Sequence, residues 1–341
     1  MTLLTRRQAL RTGAMLAGAG LLAGTGAVRA AGVERALGTP FSLRGGPDRR
    51  VIVCNDFSGD PDGVFALVHQ LLAPASSVVA VIGTLLPMDL LGRSTATSAD
   101  AATTVARELL VAMGLQDRIK LLTGSNLRLE NASTARPSAG ALAIVAEAMR
   151  EDPRPLFVTV GAALTDIASA YLIEPRIAQR LTLVWIGGAP YPRGGEEYNL
   201  AGDVIAAQVL FNESRMPIWQ VPSSTYTLCQ YSFNEFQAEI APRGAAGAWL
   251  WQRFAEKLAR LPASFARKAD WAMGDSPTVL ATSLSSDSSP HAIRRAPRIN
   301  ADQSYTERGD GRDIRVYTGI DTRLMFGDFH ALLKLHYPPG K

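Results

Sequence analysis

The stretch that decides the fold is Val51-Ile52-Val53-Cys54-Asn55-Asp56-Phe57-Ser58-Gly59-Asp60-Pro61-Asp62-Gly63, an apolar run that leads into an acidic loop. The run over 51–54 predicts a buried β-strand. The loop carries three carboxylates within seven residues, those of Asp56, Asp60 and Asp62. Ligands of open parallel sheets bind beyond the carboxyl ends of the strands, so these side chains are candidates for a ligand site.

On either side of this loop the sequence predicts an α/β fold. Further apolar runs over 78–82, 119–122, 156–160, 181–186, 217–221 and 314–317 predict strands. Helices are predicted up to residue 72 and over 95–113, 139–149, 164–172, 203–211, 277–284 and 322–335, with a helical region over 233–261 broken near 242–244. Such alternation predicts an open, mainly parallel sheet with helices on both faces, followed by a C-terminal helical part.

The first thirty residues have the order of an export signal. Arg6 and Arg7 precede an uncharged apolar run over 13–28, and small residues follow it. The arginine pair favours the twin-arginine route. A membrane anchor is the competing interpretation, but the run is short for the ~20 apolar residues of a span. We therefore predict a signal peptide over 1–30, a flexible segment over 31–49, one domain over 50–341, and a periplasmic or secreted protein.

Charge and cysteine content limit the classes of partner. The whole chain has a net charge of +4, and residues 1–30 hold four arginines and no acid, so the processed chain is neutral. A neutral protein gives no electrostatic reason to expect nucleic acid as a partner. After processing we expect no stable membrane span. Cys54 is expected to be buried, and whether it pairs with Cys229 stays open.

The acidic loop has two interpretations. Closely packed carboxylates repel, so one of them raises its pKa or they share a cation. A hard cation with oxygen ligands fits, and calcium suits an irregular loop better than magnesium. Carboxylates also hold pairs of sugar hydroxyls. Alternatively, residues 60–63 form a turn, and Asp62 caps a helix that starts near Val64.

Two later acidic groups can also be interpreted either as part of a ligand site or as helix caps. Asp275 lies just before Pro277 and is a candidate N-cap of a helix as well as a ligand. Glu197 and Asn199 lie in the loop after the fifth predicted strand, where a ligand can meet them. Asp203 is predicted to cap the helix that follows it.

These groups, in this order, resemble the inosine–uridine nucleoside hydrolase family. Residues 56–63 line up without gaps with its Asp-x-Asp-Pro-Gly-x-Asp-Asp loop and look most like a divergent branch that reads Gly-Asp-Pro-Asp-Asp. Residues 160–168 resemble its Gly-Pro-Leu-Thr-Asn segment, 183–189 its Met-Gly-Gly-Ala stretch, 197–203 its Glu-Phe-Asn and Asp-Pro-Glu-Ala-Ala, and 274–275 its late His-Asp. The likeness spans about residues 50–335 and implies a Rossmann-like core.

The resemblance also implies a chemistry. In this family, calcium is held by loop aspartates, a backbone carbonyl and the late aspartate, and it orders a water that attacks the anomeric carbon of ribose. The N-glycosidic bond then breaks through an oxocarbenium-like transition state. The candidate catalytic residues are Asp56, Asp60 and Asp62; the candidate substrate-binding residues are Asp62, Glu197, Asn199 and Asp275; the candidate calcium ligands are Asp56, Asp60, Asp62, Asp275 and the carbonyl of Val160.

Several positions depart from the family pattern. Ser58 stands where the family has the aspartate that is both metal ligand and general base, and Gly63 stands where it has the second loop ligand. Gly274 replaces the late histidine that assists the leaving base. The loop over 84–89 lacks the family's sugar-binding asparagine. Loss of two carboxylates weakens calcium binding, because affinity follows the charge and number of ligands.

Three functions follow from this pattern. The first is hydrolysis of the N-glycosidic bond of a ribonucleoside, purine or pyrimidine, or of a related ribosyl compound. The second is a non-catalytic periplasmic protein that binds a nucleoside or sugar and has lost part of the calcium site. The third is a glycosidase for another sugar, with Trp185, Tyr191, Tyr198 and Trp219 as candidate stacking surfaces. Family members often form dimers or tetramers, so a homodimer or homotetramer is expected by resemblance.

Overall fold

The computed structural model describes residues 41–86, 96–260 and 268–338. The predicted signal peptide, most of the predicted flexible segment and the end of the loop over 84–89 lie outside the described residues. The strands, numbered in chain order, are β1 Arg49–Asn55, β2 Ser76–Gly83, β3 Leu121–Thr123, β4 Leu156–Gly161, β5 Leu181–Ile186, β6 Ile218–Val221, β7 Gln230–Ser232, β8 Asp270–Ala272, β9 His291–Arg295, β10 Arg298–Ile299, β11 Tyr305–Thr306 and β12 Asp313–Tyr317.

Eight of these strands form the central sheet, in the order β3-β2-β1-β4-β5-β6-β12-β9. Every neighbouring pair is parallel except β12 with β9, which is antiparallel. The prediction of an open, mainly parallel sheet is confirmed. Strand β1 lies between β2 and β4 near the middle of the sheet. The three strands are parallel, so their carboxyl ends lie at the same edge, where ligands of such sheets bind.

The helices cover both faces of this sheet. They are α1 Asp62–Leu72, α2 Ser98–Ala112, α3 Ala139–Met149, α4 Thr165–Ile173, α5 Tyr198–Gly202, α6 Val204–Gln208, α7 Ser223–Tyr226, α8 Phe233–Glu235, α9 Gly244–Arg260, α10 Pro277–Val279 and α11 Thr322–His336. Helices α6, α8 and α10 continue as π-helical turns over Val209–Glu213, Phe236–Ile240 and Leu280–Leu284. The predicted break near residues 242–244 is confirmed, because α9 begins at Gly244.

Alternating residues of β1 feed two separate cores. Ile52 and Cys54 pack into one apolar cluster, whereas Val51 and Val53 pack into another. Successive side chains of a strand point to opposite faces, so the sheet separates the two clusters. Cys54 belongs to the first cluster and Cys229 to the second, and both are buried free thiols. The question left open by the sequence is therefore answered: the two cysteines do not pair.

Two small antiparallel ribbons were not predicted. Strand β7 pairs with β8, and β10 pairs with β11. Their strands have only two or three residues each, too short to show an alternating pattern. No helix of the described ranges has both the length and the apolar character of a membrane span.

Candidate functional site

A cavity of about 220 Å³ opens at the carboxyl edge of the sheet. Its lining comes from the ends of β1, β4 and β5 and from segments much later in the chain. The lining residues are Asp56, Asp60, Asp62, Gly161, Ile186, Glu197, Tyr198, Asn199, Tyr226, Gly274 and Asp275. The structure therefore brings the three acidic groups predicted from the sequence into one place.

Asp62 enters this cavity because α1 begins earlier than expected. Asp62 is itself the first residue of α1, the N-cap position is Pro61, and no side chain caps the helix. The prediction that Asp62 caps a helix starting near Val64 is wrong. Its Oδ2 atom instead accepts a hydrogen bond from the backbone N–H of Asp275 at 3.2 Å.

Asp275 is not a helix cap either. The residue at the N-cap of α10 is Ser276, whose side chain makes no capping bond. The carboxylate of Asp275 points back toward β1, where Oδ2 accepts a hydrogen bond from Nδ2 of Asn55 at 2.8 Å. Asp275 is thereby held against the end of β1, on the floor of the cavity.

Glu197 lines the cavity with both carboxylate oxygens already bonded. Oε2 accepts from the backbone N–H groups of Gly188, at 2.6 Å, and Leu200, at 3.0 Å. Oε1 accepts from the backbone N–H of Asn199 at 3.2 Å and from the hydroxyl of Tyr226 at 2.7 Å. Glu197 thus caps α5 and fixes the loop after β5, so it shapes the cavity wall.

Asn199 and Asp203 complete this wall. The side-chain amide of Asn199 donates to the carbonyl oxygen of Ile186 at 2.9 Å, which holds α5 against the end of β5. Asp203 caps α6 as predicted, accepting from the backbone N–H of Ala206 at 3.0 Å. Both residues come after the loop that follows the carboxyl end of β5.

The cavity concentrates negative charge in a buried place. Asp56, Asp62 and Asp275 are only 9%, 8% and 4% exposed. Burial, and then the charge of Asp275, raises the pKa of Asp56 and of Asp62 well above the usual range. Burial also raises the pKa of Asp275, and the charge of Asp60 adds to the effect. Such crowding favours a bound proton, a bound cation or a positively charged ligand.

Three of the four departures from the family pattern have local structural causes. The hydroxyl of Ser58 donates to the carbonyl oxygen of Ser98 at 3.5 Å, and Ser58 is not among the lining residues. A Cβ atom on Gly63 would lie 2.4 Å from Oδ1 of Asn55, so the Asn55 amide fills the space where a side chain at 63 would start.

The third departure, Gly274, makes room for an aromatic ring. A Cβ atom on Gly274 would lie 3.1 Å from Cδ2 of Tyr226 and 3.2 Å from Oδ2 of Asp62. Tyr226 therefore lines the side of the cavity next to this glycine. Burial, and then the charge of Glu197, raises the pKa of the Tyr226 hydroxyl above its usual range.

Sequence reasoning missed Asn55 and Tyr226. Asn55 stands directly before Asp56, so its position at the end of β1 was a usable signal. Tyr226 ends the short helix α7, which no periodic pattern marks. Among the four predicted stacking residues, only Tyr198 lines the cavity, with 44% of its surface exposed. Trp185 is fully buried and donates from Nε1 to the carbonyl oxygen of Ala162 at 3.1 Å.

Trp219 and Tyr191 lie outside the cavity, whereas the role of the Val160 carbonyl as a calcium ligand stays a prediction. Trp219 packs on the ring of Phe157 and under the guanidinium of Arg315. Tyr191 lines a different cleft. Val160 is buried within β4, opposite Cys54 of β1, and its neighbour Gly161 is the residue of β4 that lines the cavity.

In the described ranges, no three Asp, Glu, His or Cys side chains lie together in an arrangement that holds a metal ion, so the calcium site stays a prediction. Asp60, Asp62 and Asp275 offer hard oxygen atoms, which this ion prefers. Oδ1 of Asn55 is buried without a hydrogen-bond partner, and a Cβ on Gly161 would lie 2.3 Å from Oδ1 of Asp275. The glycine therefore leaves that oxygen uncovered at the cavity floor.

The model of one protein family matches residues 78–314, more than half of the chain, and its description is inosine–uridine preferring nucleoside hydrolase. The chain belongs to this nucleoside hydrolase family. The match begins after the acidic loop. Ser58 and Gly63, which depart from the family pattern, lie in that loop. No curated protein sequence matches the chain.

Solved structures of nucleoside hydrolases share the fold. The plant nucleoside hydrolase PpNRh1 superimposes with a TM-score of 0.67 at 16% identity, covering 86% of this chain and 100% of that one. A purine-preferring ribonucleoside hydrolase from Gardnerella vaginalis gives 0.69 at 14% identity, covering 84% and 99%. The type III effector XopQ, solved with adenosine diphosphate ribose, gives 0.61 at 16% identity, covering 92% and 99%. The nucleoside hydrolase fold thus extends over nearly the whole described chain.

Proposed function

We propose that this protein hydrolyses the N-glycosidic bond of a ribonucleoside or a related ribosyl compound. The observation that carries the proposal is the convergence of Asp56, Asp60, Asp62 and Asp275 on one cavity at the carboxyl edge of the sheet. A ribosyl group loses its base through a transition state with positive charge on the sugar ring. Buried carboxylates that surround this charge stabilise it, because they are already oriented and shielded from water.

Each aspartate has a distinct part in this proposal. Asp62 accepts hydrogen bonds from the ribose hydroxyls through the oxygen that the N–H of Asp275 leaves free. Asp56 or Asp60 takes the proton of the attacking water. In the family, an aspartate at the position of Ser58 has this role. A base of this kind works best when its pKa lies near the working pH, and burial raises the pKa of Asp56 in that direction.

Calcium is part of the proposal, and Asp60, Asp62 and Asp275 are the residues that would hold it. When bound, it lowers the pKa of a coordinated water and offsets the repulsion among the carboxylates. Glu197 and Asn199 stabilise the wall that faces the sugar. Tyr198 and Tyr226 offer aromatic surface to the base or to the sugar.

A second candidate function is supported by the same three departures. Ser58 bonds to Ser98, Gly63 has no side chain, and Gly274 provides no acid for the leaving base. A protein that binds nucleosides or sugars without turnover needs none of these groups. Binding without hydrolysis is therefore the alternative that the experiment must separate.

The deciding experiment measures release of free base and of reducing sugar by the processed protein, residues 31–341. A panel of purine and pyrimidine ribonucleosides is tested with calcium and with a chelator. We expect release that Asp62→Asn abolishes and that Asp270→Asn leaves unchanged, since Asp270 is exposed. Thermal stabilisation by ribose or nucleosides without release from any of them would establish the binding protein instead.

Export and assembly belong to the same proposal. The twin-arginine type signal over 1–30 directs the protein to the periplasm or outside the cell, and N-terminal sequencing of the exported protein tests this. A homodimer or homotetramer is proposed from the family, and light scattering of the processed protein tests that.

A further inference from the structure

A second cleft lies outside the acidic cavity, and the proposed hydrolysis does not use it. Its volume is about 440 Å³, twice that of the acidic cavity. Three arginines, an aromatic ring and one carboxylate line it. The lining residues are Tyr191, Pro192, Arg294, Arg295, Pro297, Glu307, Arg308 and Gly309.

Arg294 is the cation that this cleft leaves available. Its guanidinium lies 5.3 Å from the centre of the Tyr191 ring. Within the described part of the chain, no carboxylate forms an ion pair with Arg294, and its side chain is exposed near the end of β9. By contrast, Arg308 is paired with Asp310 and Arg295 with Asp313. An anion that enters the cleft therefore finds one arginine whose charge is not already neutralised.

A neighbouring cleft that shares Arg308 with this one adds the positive charge of Arg312. Arg312 donates to four backbone carbonyl oxygens, those of Met216, Phe211, Ser214 and Leu210, at 2.7, 3.2, 3.0 and 3.0 Å. Burial, and then the charges of Arg215 and Arg308, lowers the pKa of Arg312 to about 10. Burial is the larger cause of this shift; the smaller contribution of Arg215 and Arg308 places their positive charges near Arg312, and such charges attract an anion.

Tyr191 gives the cleft a rigid apolar surface. Its hydroxyl donates to Oε1 of Gln220 at 2.7 Å, and its ring centre lies 5.1 Å from that of Tyr305. Pro192 and Pro297 extend the apolar lining. A fixed aromatic ring next to a free guanidinium suits a planar ligand group that carries or adjoins negative charge.

We propose that this cleft binds a phosphate ester that carries an aromatic ring, the chemistry of a nucleoside monophosphate. The phosphate pairs with Arg294 and lies in the field of Arg308 and Arg312, while the ring packs on Tyr191. Glu307 accepts hydrogen bonds from an amino group or hydroxyls of the ligand. Because of this carboxylate, we expect a ligand that also has donors to bind better than a bare inorganic anion.

The cleft is a separate site but has a short connection to the acidic cavity. Gln220, which accepts from Tyr191, donates from Nε2 to the carbonyl oxygen of Gly187 at 2.9 Å. The next residue, Gly188, donates to Glu197 in the wall of the acidic cavity. The two sites thus share the loop that follows β5.

The test is calorimetric titration with AMP of the Asp62→Asn protein, in which turnover is blocked whether or not the wild type is a hydrolase. Arg294→Glu in this background is expected to weaken AMP binding by about tenfold or more, the usual effect of losing a charge-assisted contact. The matched control is Arg107→Glu, the same charge change on the exposed surface of α2, which packs on β2 and β3 near the opposite edge of the sheet. The control should bind AMP unchanged.

Further measurements make the result decisive. Arg294→Gln tests the same contact with a smaller change, and the thermal midpoint of each variant verifies its fold. Inorganic phosphate should bind about tenfold more weakly than AMP, because it has no ring to pack on Tyr191. Equal affinity for phosphate and AMP, an Arg294 variant that binds AMP as before, or AMP binding present in the wild type and absent from Asp62→Asn would each overturn the proposal.

Discussion

Asn55 donates a hydrogen bond from Nδ2 to Oδ2 of Asp275 at 2.8 Å, across 220 positions of the sequence. This contact joins the end of β1 to the segment before α10 and holds a buried carboxylate on the floor of the acidic cavity. The amide donor offsets the charge of Asp275 and lowers the pKa that burial raises, and a side-chain contact with Asp62 lowers it to a smaller extent.

Asn55→Ala should therefore destabilise the protein, because Asp275 keeps its burial and loses its donor. We expect the free energy of unfolding to fall by about 1–3 kcal/mol in urea at pH 7. Asn234→Ala, on the exposed surface of α8, is the matched control and should stay within about 0.5 kcal/mol of the wild type. A loss no larger than the control's would mean that the amide does not stabilise Asp275.

Asp56→Asn should have the opposite effect on stability. Burial and the charges of Asp275 and Asp60 make ionised Asp56 unfavourable, and the amide removes that charge without changing the shape. We expect about 1–3 kcal/mol of added stability at pH 7 in metal-free buffer, together with loss of base release. Asp270→Asn, at an exposed position, should change neither quantity. A less stable Asp56→Asn protein would contradict the repulsion that the geometry implies.

Asp166 predicts a pH dependence away from the cavity. Burial raises its pKa to about 6, against the bonds from Ser138 and Ser125 that lower it. Since the folded form holds this proton more tightly than the unfolded form, the folded state gains stability as the pH falls from above 6 toward 3.8, the ordinary pKa of this side chain, and loses it as the pH rises again.

Asp166→Asn should remove this contribution. The variant should be more stable than the wild type by about 3 kcal/mol at pH 7.5, with the difference nearly gone at pH 4. Urea unfolding across this range measures it, and the comparison isolates Asp166 from the other carboxylates. A difference that does not depend on pH would show that Asp166 does not titrate as the burial implies. In the family segment that residues 160–168 resemble, Gly-Pro-Leu-Thr-Asn, an asparagine stands at the position of Asp166.

Gly161 leaves no room for a side chain. A Cβ atom there would lie 2.3 Å from Oδ1 of Asp275 and 2.5 Å from Nδ2 of Asn55. Gly161→Ala should cost about 1–3 kcal/mol and abolish activity, because the floor of the cavity must shift. Gly327→Ala in α11 is the control: its Cβ meets nothing within 4 Å, and the change should stabilise the helix by about 0.5–1 kcal/mol. Equal effects of the two substitutions would disprove the close packing at the floor.

The sequence predicted the sheet well because its strands are continuous apolar runs whose burial dominates every local preference. It placed β1, β4 and β5 correctly and, with the rule about carboxyl ends, predicted that Asp62 and Asp275 meet. It did not predict how they meet. The capping roles assigned to both aspartates were wrong, since the energy of a local turn is small beside a contact made across the sheet.

Other parts of the site had no local signal. Tyr226 and Asn55 acquire their roles from Glu197 and Asp275, which are distant in sequence, so no window of residues contains the information. The ribbons β7–β8 and β10–β11 are likewise too short to show a period. The calcium site and the export signal remain predictions.

The hydrogen bond between Asn55 and Asp275 has a consequence for folding during translation. A ribosome that has produced only the first two hundred and seventy residues has made three of the four aspartates and no complete floor beneath them. A ligand of this cavity, such as the proposed nucleoside, meets a complete site only after contacts of very long sequence separation have closed. Its binding is therefore expected to stabilise the finished fold rather than to speed its formation.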